Sequence, residues 1–281
     1  MSKLGDSLST FRLPVIPGSR LVPMQLTSSY EDALPAEVLS RYEFAEVRNA
    51  AAVLAASNPD EFAEVVGVLS RFKLTARDLL LPGGNEGLVA KELNAAFRTL
   101  GWREARVDTL LKHSLVIFPF SGAGERKKQI VETSAEFEGY KADWVKHRVA
   151  GDTEWNAKDG NLDRNLASYR SLYEAGFIDG AVLVTRTIDD LKMLEQSLVD
   201  EMLATDPLVS GASLQASPKT IDDVLKRLQK PDTKLRLGTA TTTNLPKLEH
   251  RLRRGDSGGC PVLAVAICAK THDGSRVAPA Q

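Results

Sequence analysis

Apolar positions in the first third of the chain follow a helical period. From about Pro35 to Leu54 they recur every three to four residues, which predicts one continuous helical segment. Asn58-Pro59 then marks a stop and a new start, followed by a second helix. A loop at 82–85 and a third helix from Gly87 to Leu100 come next. Proline punctuates the first 33 residues, which we expect to form an extended arm.

Beyond about residue 107 the pattern changes to short apolar runs and period-two alternation, which predict strands. The predicted strands lie at 114–120, at 135–146 as two half-buried strands joined at Gly139, and at 148–156, 178–185 and 261–269. The predicted helices lie at 163–175, 188–204 and 220–229, with a short basic helix after 241–247. Helices first, then a mixed sheet with flanking helices, predict an α/β core with an N-terminal helical layer.

The composition excludes several classes of protein. Charged residues make up 26% and hydrophobic residues 43% of 281 residues, so wholesale disorder is excluded. With 36 Lys and Arg against 37 Asp and Glu, the net charge of -1 argues against coating DNA through bulk charge. A local basic face is compatible with this balance.

Cysteine and histidine are scarce. Two cysteines and four scattered histidines do not make a disulfide scaffold or a zinc–thiolate cage. No apolar run approaches the roughly 20 residues that span a bilayer, and Pro14 and Pro17 interrupt any signal-peptide core. We therefore expect a soluble protein of a reducing compartment with no membrane segment.

Two predicted neighbouring strands carry candidate catalytic chemistry. Asp143 lies in or at the end of one strand, and Glu154 lies on the next, eleven residues later. Asn156, two residues further, is expected on the same strand face as Glu154. Two carboxylates with a polar group beside one of them suit Mg²⁺, which takes oxygen ligands and keeps several waters. Such an ion can activate a water for attack on a phosphodiester.

Structural explanations compete with this interpretation. Asp143 and Glu154 could be solvated strand residues, and Asp152 could be an accessory or solvated acid. Glu92 is better explained as an ordinary surface residue of the third helix than as an acid beside the active centre. Trp144 and Trp155 are expected to pack in the sheet, and Cys260 and Cys268 to be buried apolar residues.

An ordered series of segments resembles a known family. The segments are KADWVK at 141–146, RVAGDTEWNAKDGNLDRNL at 148–166, IDGAVLVTR at 178–186 and GGCPVLAVAI at 258–267. They are similar to the PD-(D/E)xK nuclease core, and more narrowly to the BglII-type restriction endonucleases, over roughly residues 85–270. The resemblance implies a catalytic and DNA-recognition core at 85–281, preceded by an arm and helical region at 1–84.

The resemblance also implies roles for individual residues. Asp143 and Glu154 would bind Mg²⁺ together with the main-chain carbonyl of Trp155, and Glu154 would orient the attacking water. Asn156 stands where most of the superfamily has lysine. An amide cannot act as a general base or supply positive charge, so Asn156 would hydrogen-bond the water. Lys158 would be a substitute cation.

One short motif points to a different chemistry. Residues 254–261 contain GDSGG, the string around the nucleophile of trypsin-like proteases. Only 24 residues follow Ser257, too few to complete a second β-barrel, and no histidine has the expected context. A tight turn into the last strand is the better explanation.

Candidate DNA contacts cluster near the C-terminus, just after TATTTN at 239–244. Arginine can contact guanine bidentately, and polar side chains serve bases and phosphates. The candidates are Asn244, Lys247, His250, Arg251, Arg253 and Arg254. A solvated basic helix is the alternative for this segment. Further phosphate contacts are expected at 124–128, Lys141, Lys146 and Arg148.

The resemblance implies a bacterial, cytoplasmic homodimer. It would cut double-stranded DNA at a short, palindromic site and leave 5′-phosphates, because matching two-fold symmetry lets each protomer cut one strand. Two alternatives stay open: a nonspecific or repair nuclease, and a DNA-binding module whose catalytic centre has decayed. The decayed module is kept as an alternative because Asn156 replaces lysine and because Gly151-Asp152-Thr153 is an irregular entry to the catalytic strand.

Overall fold

The computed structural model describes residues 24–83, 86–230, 237 and 241–277. Its strands are β1 (Tyr42–Val47), β2 (Arg103–Ile117), β3 (Gln129–Lys146), β4 (Val149–Thr153), β5 (Gly180–Arg186) and β6 (Val262–Ile267). Its helices are α1 (Tyr30–Ala33), α2 (Ala36–Arg41), α3 (Ala50–Ser57), α4 (Pro59–Arg71), α5 (Ala76–Leu80), α6 (Leu88–Thr99), α7 (Gly160–Glu174), α8 (Asp189–Ala204), α9 (Pro207–Ser213), α10 (Pro218–Leu228) and α11 (Leu245–Arg254). Short 3₁₀ turns lie at Ser121–Ala123 and Ala269–Thr271.

The six described strands form one mixed sheet in the order β1-β6-β5-β4-β3-β2. The three central strands, β4, β5 and β6, are parallel, and the outer pairings are antiparallel. Helices flank the sheet, so the predicted α/β class, with a mixed central sheet and N-terminal helices, is confirmed.

Alternate residues of the central strands enter two separate cores. On β5, Val182 and Val184 pack into one cluster with α3, α4, α5, α6 and α8. Ala181 and Leu183 pack into a second cluster with α7 and α11. A strand covered on both faces reads as a continuous apolar run, which explains the pattern at 178–185. The N-terminal helices therefore cover one face, and α7 and α11 cover the other.

The continuous helical segment predicted from Pro35 to Leu54 is wrong. The chain forms α2, then β1, then α3, and β1 pairs antiparallel with β6. Arg48 and Asn49 both have positive φ, which ends the strand and starts α3. A short apolar run fits a strand as well as a helix, and pairing with β6 stabilises this segment as a strand.

The two strands predicted at 135–146 are also wrong, because β3 is one continuous strand. Gly139 marks a register shift against β2 rather than a turn. A Cβ on Gly139 would lie 2.2 Å from the Val107 carbonyl oxygen, so the two backbones meet too closely for a side chain. Between the predicted helices at 188–204 and 220–229 the structure has a further helix, α9, whose N-cap Asp206 accepts a hydrogen bond from Leu208 N–H.

The segments before and after residue 84 share one sheet, since β1 of the first pairs with β6 of the second. The division at 84 stays a prediction about chain organisation. Residues 1–23 of the predicted arm, Gly84 and Asn85, and residues 239–240 lie outside the described residues. In the described part of the arm, Tyr30–Ala33 form α1, so the expectation of an extended chain is wrong there. Among the helices that the structure describes, none is both long and apolar enough to cross a bilayer.

Candidate active site

The β3–β4 hairpin brings Asp143 beside the end of β4. The paired positions of the hairpin are Trp144 with Gly151, Val145 with Ala150 and Lys146 with Val149. Asp143 and Asp152 are the next residues on the two strands, so they face each other just beyond the last pair. Two reciprocal hydrogen bonds join the strands there. Asp143 N–H donates to Asp152 Oδ1 over 3.0 Å, and Thr153 N–H donates to Asp143 Oδ2 over 3.1 Å. The Asp143 carboxylate is thereby fixed to the strand that leads into Glu154.

Glu154 follows β4 directly and is held at both ends. Its N–H donates to the Val184 carbonyl over 2.8 Å. Its carboxylate accepts hydrogen bonds from Asn161 Nδ2 (3.2 Å) and Asn165 Nδ2 (2.7 Å). These asparagines lie four residues apart on α7, so one helix face presents both amides to the same carboxylate. With 7% of its surface exposed, Glu154 is not a solvated strand residue.

Asp152 is buried as well, with 2% exposed, so of the two expectations for it, an accessory or a solvated acid, the solvated one is excluded. Its Oδ1 accepts from Asp143 N–H and its Oδ2 accepts from the Tyr169 hydroxyl over 2.5 Å. Both carboxylate oxygens are engaged inside the protein. Asp152 therefore supports Asp143 through the Asp143 main chain.

Asp143 and Glu154 line one cleft of about 530 Å³. Its wall also contains Thr153, Trp155, Asn156, Asn161 and Gly87. A second depression, of about 340 Å³, reaches the same two acids beside Arg106, Lys141 and Arg164. The acids are thus accessible from two sides, and one side is lined with cations.

Burial raises the pKa of each acid in this cluster. Desolvation raises the pKa of Asp143, which hydrogen bonds from Thr153 and Asn94 partly oppose. Desolvation likewise raises the pKa of Glu154, against the two asparagine bonds. The pKa of Asp152 is raised well above its usual range by burial and by the charge of Asp143. Carboxylates that lose water next to one another favour a bound cation or a proton.

The available donors fit a hard divalent cation. They are two carboxylates and the main-chain carbonyl of Trp155, which lies 3.8 Å from a Cβ placed on Gly87 in the same cleft. All are oxygen ligands, as Mg²⁺ prefers, and few enough for it to keep waters. Among the residues that the structure describes, no three His, Cys, Asp or Glu side chains form a metal-holding group.

Asn156 lines the cleft, but its backbone conformation is not the predicted one. Strand β4 ends at Thr153, and Asn156 has a φ of 55°, so two-residue strand alternation does not orient it. The expectation that it continues the strand face of Glu154 is wrong. Its Oδ1 accepts from Arg186 Nη2 over 3.5 Å. Arg186 is buried and also donates to Thr242 Oγ1 over 2.8 Å.

The buried guanidinium of Arg186 places a positive charge behind Asn156. Burial lowers the pKa of Arg186 to about 10, while the nearby charge of Glu195 raises it. At neutral pH Arg186 is therefore still charged. Lys158, in contrast, is exposed, and its main chain pairs with Thr242. Lys158 is not among the residues that line the cleft.

The basic helix α11 is anchored to the start of α7. Lys247 Nζ lies 3.0 Å from Asp159 Oδ2. Arg251 makes a two-pronged pair with Asp163, with Nε–Oδ1 and Nη2–Oδ2 distances of 2.8 Å each. Arg254 pairs with Asp256 and approaches Asp163. Three of the six candidate DNA-binding residues thus make ion pairs within the chain.

The other three candidates differ in exposure. Asn244 is 3% exposed and caps α11, because its Oδ1 accepts from Lys247 N–H over 3.1 Å and its Nδ2 donates to Thr242 O over 3.0 Å. His250 and Arg253 are exposed on the surface of α11. The structure therefore brings the acids of the site together, and separates the basic candidates into paired, capping and exposed residues.

The structural explanations for several residues are confirmed. Trp144 is buried and stacks on Phe97 with ring centroids 4.1 Å apart. Cys260 and Cys268 are both buried. Glu92 is exposed and lines a different depression from the cleft. Ser257 is fully buried between Gly255 and Gly258, both with positive φ, so GDSGG forms the expected tight turn.

Sequence reasoning missed the residues that hold the acids. Asn161 and Asn165 lay inside the segment that carried the resemblance, yet no role was assigned to them. Two asparagines four residues apart at the start of the helix after Glu154 were a usable signal. The sequence contains no such signal for Asn94 on α6 or Tyr169 on α7, because their contacts with Asp143 and Asp152 depend on the tertiary fold.

Comparison with known proteins identifies the family of the chain. No curated protein sequence matches the chain significantly. The family model described as restriction endonuclease BglII/BglIII matches residues 42–267, from the first residue of β1 to the last residue of β6. The match covers most of the chain and spans the six described strands and the residues that line the cleft. The chain therefore belongs to the BglII/BglIII restriction endonuclease family.

Proposed function

We propose that this type II restriction endonuclease hydrolyses double-stranded DNA in a Mg²⁺-dependent reaction at a short palindromic site and leaves 5′-phosphates. Membership of the family makes the protein a site-specific endonuclease that acts on DNA. The observation that carries the finer proposal is the cleft shared by Asp143 and Glu154, with the Glu154 carboxylate fixed by Asn161 and Asn165.

The chain's own groups have distinct tasks in this proposal. Asp143, Glu154 and the Trp155 carbonyl would bind Mg²⁺, which when bound supplies electrostatic stabilisation of the phosphate charge. Glu154 would also accept a hydrogen bond from the attacking water and so orient it. The water oxygen would form a bond to phosphorus while the bond to the 3′ oxygen breaks, so the phosphate stays on the 5′ oxygen of one fragment and the other ends in a 3′ hydroxyl. The proton that the water loses would pass to solvent, which would also protonate the leaving 3′ oxygen.

Asn156 would hold the same water through its amide, since an amide neither accepts its proton nor carries charge. The charge of Arg186 behind it supports this arrangement by adding positive potential near the phosphate. Lys158 stays a candidate cation for a DNA-bound state. On the other side of the acids, Lys141 and Arg164 are candidates for contact with the DNA backbone.

The DNA surface would extend along α11. His250 and Arg253 are exposed there. Lys247, Arg251 and Arg254 would contribute where a phosphate replaces a paired aspartate, and Asn244 would act by capping α11. Two copies related by two-fold symmetry would cut the two strands of a palindrome, in the bacterial cytoplasm.

Digestion of a long, sequenced, unmethylated DNA with Mg²⁺ tests this proposal. Three controls are needed: EDTA, Glu154→Gln, and Glu174→Gln, which changes an exposed glutamate at the end of α7. Discrete fragments with wild type and Glu174→Gln, but not with EDTA or Glu154→Gln, are expected. End sequencing gives the site and the position of the phosphate.

Two other outcomes would contradict it. A smear that EDTA and Glu154→Gln abolish would show a nuclease without sequence preference. Retained DNA binding with no cleavage in Mg²⁺ or Mn²⁺, across several DNA sources, would show a decayed centre.

A further inference from the structure

Three of the groups proposed to hold the cation and the attacking water lie on one short segment of main chain. Glu154, Trp155 and Asn156 follow one another directly after β4, and the segment ends at Ala157. Asn156 has a φ of 55°, in the left-handed region that residues other than glycine adopt at a free-energy cost. The 154–157 segment therefore depends on contacts from elsewhere in the fold to keep this conformation.

Thr243 contacts both ends of the 154–157 segment. Its hydroxyl donates to the Glu154 main-chain carbonyl over 3.0 Å, and its N–H donates to the Ala157 carbonyl over 2.8 Å. The side chain and the main chain of one residue thus bracket Trp155 and Asn156. Because Thr243 is 0% exposed, solvent does not compete for either bond.

The Glu154 carbonyl has a second partner inside the protein. It also accepts from Thr185 Oγ1 over 3.3 Å, from the last but one residue of β5. A main-chain carbonyl has two lone pairs, so the two threonine hydroxyls use both. Because a peptide unit is planar, fixing this carbonyl also fixes the plane of the bond to Trp155. Only φ and ψ of Trp155 then set the direction of its own carbonyl, the proposed cation ligand.

The residues on either side of Thr243 are held as well. Thr242 Oγ1 accepts from the buried guanidinium of Arg186 over 2.8 Å. Asn244, the next residue, is buried and caps α11. The two bonds of Thr243 therefore act on the 154–157 segment from a fixed position.

We propose that Thr243 is a positioning residue that holds the 154–157 segment in its cation-binding conformation. The inference rests on the proposed function, because it takes the Glu154 carboxylate and the Trp155 carbonyl as cation ligands. Thr243 acts through the main chain and touches neither the cation nor DNA. Groups that orient ligands typically contribute about 10–100-fold to metal affinity. Loss of the hydroxyl should therefore weaken cation binding and leave metal-free DNA binding unchanged.

The cation dependence of DNA binding tests the proposal without any need for cleavage. Fluorescence anisotropy gives the Kd of a duplex selected from a random pool by binding to the protein, first without metal and then with increasing Ca²⁺, which takes oxygen ligands as Mg²⁺ does. Ca²⁺ should tighten binding by wild type, because the acids and a DNA phosphate would share the cation. A gel confirms that the duplex stays intact.

Thr243→Val keeps the side-chain volume and the β-branch and removes the hydroxyl. It should raise the Ca²⁺ concentration of half-maximal effect by about tenfold and leave the metal-free Kd within about twofold of wild type. Thr243→Ser keeps the hydroxyl and should restore the half-maximal concentration to within about threefold of wild type.

Two further variants separate positioning from packing. Thr185→Val removes the longer bond to the same carbonyl and should raise the half-maximal Ca²⁺ concentration by about threefold. Thr271→Val is the matched control. It removes a buried hydroxyl that donates to the Arg41 carbonyl over 2.7 Å, and Thr271 is not among the residues that line the cleft. It should leave the Ca²⁺ dependence unchanged. Urea unfolding checks that each variant is folded.

Two results would overturn the proposal. One is a Thr243→Val protein with the Ca²⁺ dependence of wild type. The other is a shift of equal size in Thr243→Val and in either Thr243→Ser or Thr271→Val. Failure of the proposed function is visible in the wild type alone. Wild-type binding that does not respond to Ca²⁺ would contradict the cation site and this inference with it, whereas a response to Ca²⁺ without cleavage in Mg²⁺ would contradict only the cleavage reaction.

Discussion

At the scale of single residues, the site depends on how Glu154 is held rather than on Glu154 alone. Asn165 donates to its carboxylate over 2.7 Å from inside the protein. Groups that orient a ligating or catalytic carboxylate typically contribute about 10–100-fold to activity or metal affinity. We expect Asn165→Ala to lower the single-turnover cleavage rate by about that factor, with metal-free DNA affinity within about twofold of wild type.

The matched control for Asn165→Ala is Ser168→Ala. Ser168 is also buried on α7, but its hydroxyl donates to the Tyr140 carbonyl over 3.1 Å and not to Glu154. Cleavage assays and fluorescence anisotropy on one duplex compare the two variants. Equal losses of activity would mean that α7 packing, rather than the bond to Glu154, matters.

Gly151 is explained by packing. A Cβ at this position would lie 2.0 Å from Cη2 of the buried Trp144 ring. We expect Gly151→Ala to lower the free energy of unfolding by about 2–3 kcal/mol or more, as overpacking in a tight core does. The glycine ahead of Glu154 is therefore no sign of a decayed catalytic strand.

Urea unfolding of Gly151→Ala beside Gly160→Ala tests this expectation. Gly160 begins α7 and has no atom within 4 Å of the added Cβ. Gly160→Ala should be neutral or stabilise the protein by up to about 1 kcal/mol, because alanine loses less entropy in a helix. A Gly151→Ala protein as stable as wild type would mean that Trp144 can move aside.

At the scale of elements, sequence periodicity predicted the long helices and the buried central strands well. Helix α4 turns one apolar face to the core, and strand β5 is buried along its whole length, so the pattern of each is strong. The pattern misassigned β1, since six residues are too few to separate a strand from a helix without knowledge of β6. It also divided β3 at Gly139, because a bulge and a turn both call for glycine.

The site was predicted in part for the same reason. Asp143 and Glu154 come from adjacent strands of a hairpin, so their proximity follows from local order. Asn156 lies beyond the strand end, where its conformation depends on contacts with Arg186 that no local pattern encodes. The basic residues of α11 were chosen by charge alone, and charge does not indicate which of them pair inside the protein.

The contact between α7 and α11 gives a pH-dependent prediction. The bidentate bond from Arg251 holds the pKa of Asp163 below its usual range. A depressed pKa contributes stability that is present above the unfolded pKa, near 3.8, and is lost as the pH falls through the folded pKa. Because Asp163 is about half exposed, we expect Asp163→Asn to cost only about 0.5–1 kcal/mol at pH 7.

Urea unfolding of wild type and Asp163→Asn from pH 7 down to pH 3 measures this contribution. The difference between the two proteins should shrink as the pH falls below about 3.8, because the unfolded wild type then takes up a proton that the paired Asp163 of the folded protein resists. Asp222→Asn is the control, because Asp222 and its partner Lys226 form an exposed ion pair within α10 and join no second element. A difference that does not depend on pH would show that Asp163 stabilises α7 by other means.

At the scale of the whole molecule, a net charge of -1 leaves DNA binding to local surfaces. Most cations of α11 already have acidic partners in the chain, and Arg253 is exposed at its end. A cation that contacts phosphate displaces a condensed counterion, so removing it weakens the salt dependence of binding. We expect Arg253→Ala to reduce the slope of log K against log salt by about one and to lower affinity for all sequences alike.

Anisotropy titrations of a metal-free duplex at several salt concentrations provide the slope. Lys219→Ala is the control, because Lys219 is exposed on α10, an element that contributes no residue to the cleft. An unchanged slope for Arg253→Ala would indicate that DNA does not contact the exposed end of α11. The cations Lys141 and Arg164, which lie beside the acids, would then be the better candidates. A change confined to one sequence would instead identify Arg253 as a base contact, since phosphate contacts carry no sequence information.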